Sequence, residues 1–187
     1  YFNPHGHGTH TECCGHITHV VHSINQRVKT YFYRATLVSI TPRLMENGDE
    51  AIFADLFPSN LNPDFMEALI IRTRPNTIEK KSKNYSATNP PYLDLSCMEI
   101  IEKYGVNHLL VDLPSVDRES DEGKLAFHHA YWHVPSSPND KTITEMVFVD
   151  DYVADGQYIL DLQFAPFEND ASPSRPVLYK MFEEGTL

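Results

Sequence analysis

Cations are scarce in this 187-residue chain: 15 Lys and Arg stand against 26 Asp and Glu, for a formal net charge of −11. Nowhere do the cations gather into a stripe. An acidic chain repels phosphate backbones, so no nucleic-acid partner is expected. No apolar run approaches the roughly 20 residues that cross a bilayer, so no membrane span is expected. Cysteine is also rare. Cys13 and Cys14 are adjacent and would bridge only with strain, and Cys97 stands alone. That is no disulfide framework, and it matches a reducing, cytoplasmic setting. The small-hydrophobe role beside a site suits Cys13 and Cys14 better than that of a nucleophile. Internal repeats and low-complexity tracts are missing too. The chain starts at Tyr1 with neither an initiator Met nor a signal peptide, as expected of one that lacks an N-terminal stretch.

What is present suits one globular domain over residues 1–187, with 41% hydrophobic and 22% charged residues. Residues 28–40 are rich in β-branched and aromatic side chains and predict a strand, or two short ones, ended by Thr41-Pro42. Its Tyr31-Phe32-Tyr33 segment offers aromatic surface for an interface. Asn47-Gly48-Asp49 predicts a turn, and residues 64–68 a short helix. Residues 67–73 predict a buried strand, and the polar, Pro-containing residues 74–91 a long loop or lid. The clearest helix is 96–104. Ser96 and Glu99 have capping-box spacing, Cys97, Ile100, Ile101 and Tyr104 share one apolar face, and Gly105 supplies a left-handed stop. Strands are expected again at 107–113, 143–149, 158–164 and 177–182, with a charged loop at 117–124. Strands dominate, and one helix leads straight into a buried strand. The expectation is an α/β or α+β layered domain.

Six of the ten histidines fall within the first 22 residues. Four sit in the run His5-Gly6-His7-Gly8-Thr9-His10-Thr11-Glu12-Cys13-Cys14-Gly15-His16. Neutral imidazoles and a carboxylate on a Gly-rich backbone suit a divalent transition metal. The irregular spacing, interleaved with Thr and Glu, is unlike an expression tag. If the backbone is extended after Gly8, His10, Glu12, Cys14 and His16 share one face. A second cluster, His128-His129 with His133 and then Glu145, offers the distal ligands that one run rarely supplies alone.

The segment Gly8 to His16 resembles the HxGTHxDxPxH signature of the cyclase family of metal-dependent hydrolases, which includes bacterial kynurenine formamidase and isatin hydrolase. Asp112-Leu113-Pro114-Ser115-Val116-Asp117 resembles that family's D-x-P-S-V-D loop. Ala165-Pro166 through Ser172-Pro173-Ser174-Arg175-Pro176-Val177 resembles its C-terminal strand-turn-strand. The resemblance implies an α/β layered mixed-sheet domain of the swivelling β/β/α type. It implies a metal site of His5, His10, Glu12, His128 and Glu145 and a catalytic acid/base at His16, with Zn²⁺ or Mn²⁺ as cofactor, one or two per chain. The partner it implies is a small-molecule substrate, in a homo-oligomer (dimer or tetramer).

Three positions depart from the signature. Its first His falls on Gly6, flanked by His5 and His7, and His5 is the expected ligand. Its Asp is Glu12, and its Pro is Cys14. His129 stands beside His128 as an alternative ligand. Asp112 and Asp117 are candidates either to hydrogen-bond ligand histidines or to cap turns. The implied reaction is hydrolysis of an amide or cyclic amide. Its competitors are a lactone or ester hydrolase of the same family, a metal-binding protein without turnover, and a Cys13 or Cys14 nucleophile paired with His16.

Overall fold

The β-branched run after Thr30 becomes the longest strand of a curled sheet. The computed structural model describes residues 2–181. Eight strands form the main sheet: β1 (His10–Glu12), β2 (Phe32–Ile40), β5 (Ala68–Thr73), β7 (His108–Val111), β8 (Thr142–Glu145), β9 (Gly156–Asp161), β10 (Ala171–Pro173) and β11 (Val177–Lys180). Their order is β10-β1-β8-β7-β5-β2-β9-β11. The central four, β8-β7-β5-β2, are parallel, and the flanking strands are antiparallel to their neighbours. A small second sheet holds β3 (Arg43–Leu44), β4 (Glu50–Ile52) and β6 (Tyr92–Leu93). The α-helices are α1 (Ile24–Arg27), α2 (Met98–Tyr104) and α3 (Ala126–Trp132). None of the described helices is long and apolar enough to cross a membrane.

The curl follows from connectivity. β10 and β11 lie at opposite edges of the strand order, yet only residues 174–176 join them. So short a connection reaches at most roughly 14 Å. The two edges must therefore approach, and Phe164 bridges Ser174 across the gap. Alternate residues of each strand then face two different cores. Val38, Leu69, Ile71, Leu109, Val111 and Ile143 pack outward under α2 and α3. Leu37, Ile70, Leu110 and Leu160 fill the inside of the curl. Four parallel strands buried on both faces explain the near-continuous apolar sequence of β5 and β7.

Most elements match their sequence signals, with instructive shifts. Helix α2 ends at Gly105 in the left-handed region (φ 66), and Val106 N donates to Ile101 O at 2.9 Å. The Ser96–Glu99 capping box does not form. Asp94 accepts from Ser96 N at 2.9 Å one turn earlier, and Ser96 Oγ accepts from Ala54 N at 3.2 Å. A 3₁₀ turn, Leu95–Cys97, therefore precedes the helix. Residues 64–68 hold a 3₁₀ turn (Pro63–Phe65) and then enter β5. Strand β8 stops at Glu145 because Met146 turns to φ 56. Residue 182 of the last expected strand lies outside the described residues. The 74–91 loop is tied down. Lys80 Nζ donates to Asp112 Oδ2 at 2.8 Å, and Ala87 N and Asn89 N donate to Glu119.

His108, at the start of β7, is only 7% exposed. Its ring lies 3.9 Å from that of Tyr33, and Nδ1 meets Thr142 Oγ1 at 2.8 Å. Burial pushes its pKa down to about 4, against the pull of Glu67. In the unfolded chain the same group titrates near 6.5. The unfolded state therefore binds the extra proton between those values, and stability is lost as pH falls through that window. The loss expected from this one group is roughly 3 kcal/mol. It is measured as the difference between wild type and His108→Phe in urea unfolding at pH 7 and pH 4. Parallel pH curves would remove His108 as the cause.

Candidate metal centre

Strand β1 puts two donors on one face. It runs between β10 and β8, with His10 opposite Glu145 and Glu12 opposite Ile143. The period of two sends His10 and Glu12 to the same side and Thr11 to the other. There Thr11 Oγ1 bonds Thr144 Oγ1 and Ser174 Oγ, both at 2.9 Å. The extended stretch ends at Glu12. Cys14–His16 is a 3₁₀ turn, so Cys14 sinks into the outer core while His16 swings back over the site. Gly15 permits that turn: a Cβ there would lie 2.4 Å from His22 O and 3.1 Å from Asp170 Cβ.

The other donors arrive from separate elements. A 3₁₀ turn, Pro4–Gly6, capped by Asn3, carries His5. Helix α3 carries His128. Asp117 Oδ1 accepts from Phe127 N at 2.8 Å, and its Oδ2 accepts from His128 N at 3.1 Å and from His128 Nδ1 at 2.6 Å. One carboxylate thus caps the helix and turns the His128 Nε2 lone pair inward. His10 is set similarly, with Nδ1 donating to Gly8 O at 2.9 Å.

The inward atoms converge on Glu12, which is fully buried, as is His10. Glu12 Oε2 lies 2.9 Å from His5 Nδ1, 3.9 Å from His10 Nε2 and 4.0 Å from His16 Nδ1. Glu12 Oε1 lies 3.1 Å from His128 Nε2. Glu145 Oε2 is 3.5 Å from His10 Nε2, Glu145 Oε1 is 3.8 Å from His128 Nε2, and that Oε1 accepts from Val116 N at 3.0 Å. Three imidazoles and two carboxylates therefore share one small volume. His16, part-exposed, sits at its rim, 4.2 Å from the His5 ring and nearly parallel to it.

Two buried atoms decide what this volume suits. His10 Nε2 and Glu12 Oε2 have no hydrogen-bond partner; His5 Nδ1 is close to that oxygen but not aligned for a bond. Buried polar atoms without partners are rare and costly. Facing lone pairs of nitrogen and carboxylate oxygen are satisfied together by a divalent cation, and His5, His10 and Glu12 alone form one candidate ligand set. Electrostatics agree. Burial alone would raise the Glu12 pKa, yet the His128 and His5 imidazoles hold it well below the carboxylate range. Burial opposes protonation of His5 and His128. Asp170 and Glu12 nevertheless raise His5 to about 9, and Asp117 and Glu12 raise His128 to about 10. A proton and a cation compete for those lone pairs.

All six sequence-expected site residues come together here. The alternatives do not. His7 bonds Asn3 and stacks on Phe2 at 5.4 Å, and His129 Nδ1 meets Val134 O at 3.2 Å. Of the two candidate aspartates, Asp117 holds a histidine. Asp112 instead accepts from Thr73 N, Thr73 Oγ1 and Lys80 Nζ. Burial pushes the Cys13 thiol up to about 12. A thiolate nucleophile therefore has no support there. Asp170, which the sequence did not single out, lies 2.7 Å from His5 Nε2 and 3.6 Å from His16 Nδ1.

Beside the cluster opens a cavity of about 490 Å³, lined by His5, Asp117, Tyr85, Ser115 and Met146 among others. A larger one, about 620 Å³, surrounds His108 and Lys141, and a third, about 370 Å³, opens inside the curl. Neither of these is lined by a residue of the cluster.

Fold and site together define a curled mixed-sheet α/β domain with a buried His/carboxylate centre. The chain belongs to the Putative cyclase family, whose sequence profile matches residues 1–118. By sequence alone, no curated protein matches it. Its fold is shared with solved structures of low identity. A potential metal-dependent hydrolase with cyclase activity superposes with a TM-score of 0.65 at 14% identity, over 95% of this chain and 80% of that one. Isatin hydrolase A from Labrenzia aggregata, bound to benzyl benzoate, gives 0.61 at 13% identity, over 94% and 73%. Isatin hydrolase A from Ralstonia solanacearum gives 0.63 at 14% identity, over 92% and 72%.

Proposed function

We propose that the protein is a metal-dependent hydrolase that cleaves an amide or cyclic amide of a small molecule. The observation that carries this reading is the unpartnered pair His10 Nε2 and Glu12 Oε2, buried among three imidazoles and two carboxylates beside a cavity. The hydrolase and isatin hydrolase names of its structural neighbours support it. His5, His10, Glu12, His128 and Glu145 would hold one or two Zn²⁺ or Mn²⁺ ions. Such an ion, when bound, polarises a carbonyl and acidifies water at neutral pH.

The chain's own residues do the rest. Glu12 and Glu145 supply the negative charge that retains a divalent ion in a dry pocket. Asp117 fixes the His128 tautomer. His16, at the rim, takes a proton from the attacking water as the carbon–oxygen bond forms. It returns that proton to the leaving nitrogen as the carbon–nitrogen bond breaks. The cavity beside His5, with Tyr85 and Ser115 in its wall, receives the substrate.

The test is turnover of an N-formyl aryl amine, a cyclic aryl amide and an aryl lactone, each with and without chelator. Amide hydrolysis that stops on chelation and returns with Zn²⁺ or Mn²⁺ is the expected result. Faster turnover of the lactone would move the protein to the ester-cleaving reading. Metal uptake with no turnover of any of the three would leave a binding protein.

A further inference from the structure

We infer that Asp170 is a positioning residue of this centre: it selects the nitrogen that His5 turns toward the metal and holds His16 against it. The inference rests on the metal-site reading above and extends it to the residue just before the edge strand β10.

Asp170 precedes β10, and its own carbonyl accepts from Cys13 N at 3.0 Å. Its backbone is thereby tied to the residue that follows Glu12. Its Oδ2 stands 2.7 Å from His5 Nε2. A carboxylate only accepts, so Nε2 carries the proton. In neutral His5 the free lone pair is then on Nδ1, the atom 2.9 Å from Glu12 Oε2. Without Asp170 either nitrogen could carry that proton, and in the wrong tautomer the face toward Glu12 would be an N–H. Asp117 sets His128 by the same device from the opposite side. Carboxylate partners of this kind fix both tautomer and ring orientation of metal-binding histidines.

The same Oδ2 lies 3.6 Å from His16 Nδ1, on a ring stacked 4.2 Å from His5. One oxygen thus gathers both rings. A cation held by His5, His16 and Asp170 themselves is the competing arrangement, since these three also form a candidate ligand set. It predicts loss of a whole equivalent of Zn²⁺ when Asp170 is replaced.

The experiment compares wild type with Asp170→Ala, Asp170→Asn and, as a control on the same loop, Glu168→Ala. Zn²⁺ affinity and stoichiometry are read by competition with a chromogenic chelator. The His5 tautomer is read from ¹⁵N–¹H correlations of the zinc-loaded protein, with His5→Gln to assign the signal. Asp170→Ala should weaken Zn²⁺ binding about 10–100-fold at unchanged stoichiometry and mix the His5 tautomers. Asp170→Asn keeps an acceptor oxygen and should recover most of both, and Glu168→Ala should match wild type. The side chain is part-exposed, so the fold should survive, as circular dichroism would verify. Unchanged affinity and tautomer in Asp170→Ala would overturn the inference alone. So would loss of a whole equivalent of Zn²⁺ in both Asp170 variants, which would make Asp170 a ligand. A wild-type chain that takes up no Zn²⁺ would overturn the metal-site reading as well.

Discussion

Glu145→Gln and His10→Ala, made separately, should each strip the protein of its metal. The two residues come from different strands and face each other across the β1–β8 pair at 3.5 Å. Glu145→Gln removes one charge but keeps an oxygen for Val116 N, so the 116–117 turn and with it Asp117 stay in place. His10→Ala removes a buried imidazole whose Nδ1 bond to Gly8 is local. Neither change is expected to unfold the chain. Loss of a direct ligand should exceed the ~10–100-fold typical of a hydrogen-bond partner one layer further out. Elemental analysis of untagged protein should find one or two equivalents of Zn or Mn in wild type and a large deficit in both variants. Thermal unfolding gives an independent reading. At metal concentrations 100 times Kd the wild type gains ~2.7 kcal/mol, a gain that chelation removes and that both variants should lack. A wild type that stays metal-free after reconstitution would sink the hydrolase reading. Full metal content in either variant would place the ion elsewhere.

His16→Ala should separate catalysis from binding. His16 is the most exposed of the clustered histidines, and its Nδ1 stands 4.0 Å from Glu12 Oε2, farther than His5 or His10. It lies over the cluster from its own turn after β1, where a group can exchange a proton with substrate. General acid–base groups contribute about 10²–10⁴-fold. The variant should therefore lose amide hydrolysis by that factor while retaining its metal and its melting temperature. A small external imidazole should restore part of the rate. Metal loss in His16→Ala would instead make His16 a ligand, as its proximity to Glu12 and His128 allows. Turnover unchanged by the substitution would give the proton-transfer role to another group.

Local structure and donor inventory were legible in the sequence because both are short-range. The β-branched run became β2, the apolar face ending at Gly105 became α2, and the His5–His16 run brought four donors within a dozen residues. Short-range reasoning failed where two partners competed for one group. Asp94 took the cap assigned to Ser96, and the strand reading of residues 10–16 stopped at Glu12 because the chain turns at Cys14. Helix α3 carries no strong periodic signal, and its N-terminus is capped from ten residues away by Asp117.

Only the tertiary structure decided which donors meet. Nothing local separates His5 from His7 or His128 from His129. Each choice is made by where the backbone enters the sheet, since neighbouring side chains on a turn or helix point in different directions. Asp170 was invisible for the same reason. It lies over 150 residues from His5 and His16 in sequence and reaches them because β10 pairs with β1 at an edge the curl brings round. The sequence by itself determined the inventory of His and carboxylate side chains, the acidic balance and most strands. Strand order and register determined the site, because imidazoles and carboxylates far apart in the chain are brought into one buried cluster by long-range pairing and never by adjacency alone.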